Sequence, residues 1–178
     1  MKKCRISRII ILFIIALTSV GIFAQTKMIE IKAGHTFKVS FPEYMSKTAG
    51  LNGYSSIEYK SEAQGVYSLV IYDLKEDLKL IGLNFNSTRE FCDYFVKDFF
   101  KDVEKKPISA PVSKKMNEVN FIEVDMDYFD KETNMEFYYL IGIVETKKAF
   151  YKVIASSAKK DKDKFKGDFQ KILYSLKD

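Results

Sequence analysis

The sequence has no tryptophan, one histidine, three prolines and two cysteines in 178 residues, and each scarcity closes a route to function. The histidine, His35, lies in the turn-like run Ala33-Gly34-His35-Thr36, and no Gly-x-Ser-x-Gly elbow is present for it to serve. It reads as a solvent-exposed or turn-stabilising residue. Cys4 lies in the basic start of the chain and Cys92 is the only cysteine beyond it, which excludes an intrachain disulfide in the body of the protein. Beside Phe91, Phe95 and Phe99, and with no evident activating base, Cys92 reads as a small buried apolar residue. The usual nucleophile–base pairs therefore have no obvious parts. No motif implies a cofactor, and no repeat, low-complexity tract or Pro/Gly/Ser linker divides the chain.

What is present begins at the N-terminus. Lys2, Lys3, Arg5 and Arg8 precede an almost purely apolar run from Ile9, which closes on the small residue Ala24. This is the order of a secretory signal, and the mature chain is expected to start at Gln25. The alternative is a retained anchor, but Ile9–Ala24 is shorter than the about 20 residues of a spanning helix. Export to a periplasm or the cell exterior follows, with no stable membrane span after cleavage. The segment carries four of the 29 Lys+Arg and none of the 24 Asp+Glu, so the formal charge of +5 falls to 25 basic against 24 acidic groups without it. A body so close to neutral lacks the basic footprint of a nucleic-acid-binding domain, and nucleic acid is excluded as a partner. The mixed run Lys159-Lys160-Asp161-Lys162-Asp163-Lys164 reads as a solvated helix start.

From Gln25 to Asp178 the length suits one domain with an ordinary core. Met28–Lys32 and Thr36–Phe41 are strand candidates, and in the second Phe37, Val39 and Phe41 alternate with polar residues. Ser56–Lys60 and Val66–Leu74 flank Glu62-Ala63-Gln64-Gly65 as a hairpin. Leu78–Leu83 is readable as strand or loop. Ser87-Thr88-Arg89-Glu90 has the spacing of a capping box, and the same box accounts for the glycosylation-like tripeptide Asn86-Ser87-Thr88. The predicted helix carries Phe91, Phe95, Phe99 and Val103 on one stripe, widened by Cys92, Val96 and Phe100, and is expected to end at Lys105-Lys106-Pro107. Val119–Phe129, Met135–Glu145 and Ala149–Ser156 read as an antiparallel meander. A second helix over Asp161–Leu176 carries Phe165, Phe169, Ile172, Leu173 and Leu176 on one face. The expected fold is α+β, a central antiparallel sheet flanked by helices.

In this order the chain resembles the PsbP-like family. Phe37-Lys38-Val39-Ser40-Phe41-Pro42 is similar to the family's opening strand, which runs into a proline, and Tyr44 stands near where many members carry a tryptophan. The middle helix, the meander and the terminal Phe165, Phe169, Ile172, Leu173, Ser175 and Leu176 resemble the remainder. The resemblance implies a PsbP-like α/β/α sandwich over nearly all of the mature chain. It also implies a non-enzymatic accessory or binding role, and it transfers no functional residue.

Two constellations remain as candidate sites. Along Phe121–Phe129, Ile122, Val124, Met126 and Tyr128 share one face and Glu123, Asp125 and Asp127 the other. Three carboxylates in a row are candidate ligands for calcium, which takes 6 to 8 oxygens. At ~3.3 Å per residue they are strung over roughly 13 Å without converging, so a solvated face paired with lysines of an adjacent strand is the preferred reading. Tyr54, Tyr59, Tyr138 and Tyr139 are candidates for a surface binding cluster, against the alternative that they line the rim of the core. The expected function is an exported, non-catalytic binding or accessory module whose partner is another envelope protein. The alternative is an apolar pocket for a lipid or other small molecule between the sheet and the Phe91–Val103 helix, and hydrolysis is a poor third.

Overall fold

The computed structural model describes residues 26–33, 37–99, 101 and 108–178. The signal segment, His35 and the Lys105-Lys106-Pro107 helix stop lie outside the described residues.

Among the described residues, nine strands form two antiparallel sheets. β1 (Met28–Ala33) and β2 (Phe37–Pro42) make a two-stranded ribbon. The other seven are β3 (Ser46–Thr48), β4 (Ile57–Ser61), β5 (Val66–Leu74), β6 (Val112–Met116), β7 (Val119–Asp130), β8 (Met135–Glu145) and β9 (Ala149–Ala158). They pair in the order β3-β4-β5-β9-β8-β7-β6. β9 enters between β5 and β8, joining the early hairpin to the late meander into one sheet.

Both faces of this sheet are covered. On one lie α1 (Lys75–Leu80) and α2 (Thr88–Phe99), over a cluster that includes Phe91, Cys92, Ile122, Val124, Met126, Ile141, Ile143 and Phe150. On the other lie α3 (Lys162–Tyr174) and the β1–β2 ribbon, over Phe121, Tyr138, Leu140, Val153, Phe165, Phe169, Ile172 and Leu173. Because strand side chains alternate, β7 sends its even-numbered residues to α2 and its odd-numbered ones to α3.

The capping box at α2 forms with a shift. The Ser87 hydroxyl accepts from Glu90 N (3.1 Å), while the Glu90 carboxylate accepts from Asn86 N (2.8 Å), one residue outside the box. The aromatic stripe seats most deeply at its start, where Phe91 and Cys92 are buried, and Phe99 is exposed.

Leu78–Leu83 is neither strand nor loop. It is the end of α1 and its cap: Leu83 N donates to Leu78 O (2.9 Å) and Gly82 N to Lys79 O (3.0 Å), with Gly82 at φ +79°. This is a Schellman termination, in which a glycine supplies the left-handed residue and the two flanking apolar residues turn inward together. Leu78 and Leu83 accordingly face Phe85 and Phe150, and Leu80 and Ile81 are left outside. A six-residue helix holds under two turns, too few for periodicity to declare itself. The edge strands β3 and β6 were also not anticipated, being three and five residues long and largely exposed.

Candidate functional site

The acidic row is not a solvated face. Glu123, Asp125 and Asp127 lie on the α3 side of β7, and α3 runs along them with Lys162, Lys166, Gln170 and Tyr174, one residue per turn. A four-residue helical step advances ~6 Å and a two-residue strand step ~6.6 Å, so the two rows stay in register over three carboxylates. Lys162 Nζ lies 3.9 Å from Asp127 and 3.8 Å from Asp125. Lys166 contacts Asp125 closely and Glu123 at 3.6 Å. Gln170 Nε2 donates to both Glu123 oxygens (2.9 and 3.1 Å), and Tyr174 OH donates to one of them (2.9 Å). From the sheet itself, Tyr138 OH donates to Asp125 (2.7 Å). Lys159 bridges Asp127 (3.7 Å) and Glu136 (3.0 Å), so Lys159 and Lys162 of the mixed run are engaged, while Lys160, Asp163 and Lys164 are exposed as a solvated helix start is.

The electrostatics agree with the geometry. Burial opposes the charge of Lys166, but Asp125 and Glu123 outweigh it and raise its pKa above the ordinary lysine value. Burial, reinforced by the adjacent carboxylates, pushes the phenols of Tyr138 and Tyr174 well up, so both stay protonated donors. Lysine ammoniums occupy the directions from which a cation would approach. Among the described residues no group of acidic, histidine or cysteine side chains is arranged to hold a metal. Calcium titration is expected to leave the melting temperature unchanged, since a ligand stabilises only by binding the folded state. A saturable rise that disappears in a Glu123→Gln, Asp125→Asn, Asp127→Asn variant would contradict this.

The four tyrosines do not form one patch. Tyr59 is buried and stacks on Phe41 with ring centroids 4.0 Å apart. Tyr138 is buried against α3, while Tyr139 points to the opposite face and packs on the α2-side cluster. Only Tyr54 is open to solvent, in a loop that Glu58 organises by accepting from Leu51 N (2.9 Å) and Asn52 N (2.8 Å). Cys92 is buried, and burial raises its thiol pKa to about 11, which agrees with an inert core residue.

A second polar node was not read from the sequence. At the end of β8, Glu145 accepts from Lys75 (2.7 Å), from the Thr88 hydroxyl and from Asn120 Nδ2 (3.4 Å). Lys75 also lies 4.8 Å from the centroid of the Phe150 ring. The four residues come from α1, α2, β7 and β8, so no local spacing signals them. Burial works against ionisation of Glu145, yet the Lys75 ammonium and the Thr88 hydroxyl prevail and hold its pKa below the ordinary glutamate value. With a depressed folded-state pKa, its contribution is present above the unfolded value near ~4.3 and is lost as pH falls through the folded one. Acid unfolding of a Glu145→Gln variant is expected to show a shallower loss of stability below pH ~4.3 than the parent. Identical slopes would show that the carboxylate is solvated.

Beside this node an open cleft of about 440 Å³ lies between the start of α2 and β6–β7, lined by Ser87, Thr88, Arg89, Ser113, Lys115 and Asn120 among others. It is an open surface groove whose polar rim surrounds the apolar Phe121 and Ile122. The space under α2, where the alternative reading places an apolar ligand, is occupied by Phe91 stacked on Phe150, centroids 4.3 Å apart, and by Cys92 and Ile141.

Two covered faces, a seven-stranded antiparallel sheet and a closing C-terminal helix define a PsbP-like α+β fold. Among solved structures, the cyanobacterial PsbP (CyanoP) of Synechocystis superposes with a TM-score of 0.61 at 12% identity, covering 91% of this chain and 98% of that one. LpqN, a protein involved in cell envelope biogenesis of Mycobacterium tuberculosis, gives a TM-score of 0.55 at 7% identity, covering 85% of this chain and 90% of that one. No family profile and no curated protein matches the sequence. Among the described residues no helix is long and apolar enough to cross a membrane.

Proposed function

We propose that the chain is exported by Met1–Ala24, matures at Gln25 as one PsbP-like domain, and serves as a non-catalytic binding or accessory module of the cell envelope, with another envelope protein as its partner. The observation that carries this reading is that the ionisable clusters are closed on themselves. The carboxylates of β7 are engaged by α3, Glu145 is engaged by Lys75, Thr88 and Asn120, and Cys92 is inert, so no nucleophile stands beside a free base among the described residues. The likeness to LpqN, itself described as an envelope biogenesis protein, supports the setting. The backbone edge of β6 supports the binding role: among the described residues it pairs only with β7, and Val112 is exposed on it. Such an edge can accept an extended segment of another protein, while Lys114 and Lys115 discourage self-pairing.

A photo-crosslinking residue in place of Val112, expressed in cells, is expected to trap one dominant envelope protein, and the same probe at Glu132 in the distal β7–β8 turn is not. Mass analysis of the exported chain should find Gln25 at its N-terminus. Equal or absent adducts at the two positions would remove the edge-binding reading, and a retained Met1–Ala24 would remove the processing step.

A further inference from the structure

Leu80 and Ile81 are two of the most exposed large apolar residues described, at 85% and 71% of their full accessibility. They are not a frayed end. The Schellman bonds at Gly82 and Leu83 fix them on the outer side of the turn, as Ile81 N is held by Asp77 O (3.3 Å) and Leu78 O (3.2 Å). Two aliphatic side chains are thus presented to solvent by a rigid support.

Their surroundings are cationic. Lys79 adjoins them. The first residue of α1 is tied to the β8–β9 turn by Lys75 N to Lys148 O (2.9 Å), which brings Lys147 and Lys148 to the same end of the sheet. The register places the β6–β7 turn there too, with Lys115 opposite Asn120 and Asn120 opposite Glu145. Lys79, Lys115, Lys147 and Lys148 are exposed, and none has an ion-pair partner among the described residues. Arg89 adds a guanidinium, held by Asp93 at 2.9 Å. The acidic groups at this end are Glu76 and Asp77, one helical turn back from the tip, with Glu90, which accepts from Asn86, and Glu118. Glu145 is bound by Lys75, and Asp178 accepts from Thr146 (2.7 Å) and Tyr151 (3.2 Å).

We propose that this end of the molecule rests on an anionic phospholipid surface, with Leu80 and Ile81 entering the acyl boundary and the surrounding lysines at the level of the headgroups. The composition favours lipid over protein. Protein interfaces are enriched in aromatic residues and arginine and depleted in lysine, whereas aliphatic residues ringed by lysine suit an interfacial anchor. Two side chains are a small wedge, so attachment is reversible and depends on the lysines.

The absence of tryptophan provides the test. In the full chain, Ile81→Trp places a single reporter at the tip and Phe129→Trp places one at the opposite end of the sheet, where Phe129 is also exposed. With vesicles of mixed phosphatidylglycerol and phosphatidylcholine, the tip reporter is expected to emit at shorter wavelength and to be quenched by nitroxide on the acyl chains, and the distal reporter is not. Phosphatidylcholine alone should produce no shift, and the shift should vanish at about 1 M salt, where the screening length falls to roughly 3 Å. Adding Lys147→Gln and Lys148→Gln should raise the lipid concentration for half-maximal shift by roughly 30-fold, the loss of two lysine–headgroup attractions. Leu80→Gln should weaken it as well, and unchanged melting temperatures would show that these surface variants remain folded. An equal shift at both positions, which attachment through Met1–Ala24 alone would give, overturns the proposal. So does no shift with anionic vesicles, or a shift that requires added envelope protein rather than lipid.

Discussion

Gly142→Val is expected to destabilise the protein by about 3 kcal/mol, lowering the melting temperature by roughly 6–12 °C for a chain of this size. Gly142 sits in the middle of β8, opposite Glu123 on β7 and Val153 on β9. A Cβ there would meet Leu173 of α3, with Cγ at 2.9 Å and Cδ2 at 2.8 Å, inside contact distance. Leu173 is fully buried, so it has little space to yield. The glycine lets α3 lie close enough to the sheet for its lysines to reach β7, and valine would lift the helix off both. Urea unfolding of Gly142→Val, of Leu173→Ala and of the double variant separates the causes. The double variant should be more stable than the sum of the single losses, because removing the leucine relieves the clash. Simple additivity would show that α3 does not press on β8 at this point.

Glu123→Ala is expected to cost about 3 kcal/mol. The carboxylate is almost wholly buried and accepts from Gln170 and Tyr174 while facing Lys166. Removing it leaves an amide, a phenol and part of an ammonium without their acceptor under a packed helix, and such groups cost more when abandoned than the original contacts contributed. Glu123→Gln should lose less, since its carbonyl can still accept. A double-mutant cycle with Tyr174→Phe should show coupling of about 0.5–3 kcal/mol. A loss below about 1 kcal/mol, the range of an exposed ion pair, would mean that water reaches the carboxylate.

These two positions show what the sequence discloses and what it withholds. The meander from Val119 to Ala158 was legible because each strand is long and richly apolar, and α3 because Phe165, Phe169, Ile172 and Leu173 repeat at helical spacing. Alternation separates the two faces of β7, but it does not say which face meets solvent. In a sheet covered on both sides neither does, and the acidic row was therefore assigned outward. A signal was available: Lys162, Lys166, Gln170 and Tyr174 form a polar stripe beside the apolar face of α3, complementary in spacing to Glu123, Asp125 and Asp127. Tyr138 was misplaced for the same reason, its ring buried while its hydroxyl serves Asp125. Glu145 and its partners stayed hidden because they assemble from four elements far apart in the chain. α1 stayed hidden because it is too short for its periodicity to show.

The layer over the α3 face is built from two segments far apart in the sequence. Lys38 in β2 exchanges backbone hydrogen bonds with Lys177 (2.7 and 3.0 Å), Ser40 N donates to the Ser175 hydroxyl (2.7 Å), and Thr26 reaches Asp168 (2.9 Å). Ribosomal synthesis yields β1 and β2 well before α3, so the ribbon can pack on the sheet, Phe41 on Tyr59 and Phe37 on Tyr151, before the helix that completes its layer exists. The ring of contacts closes only once Ser175 and Lys177 have been made, so until then the layer is held open by the order of the polypeptide's own synthesis.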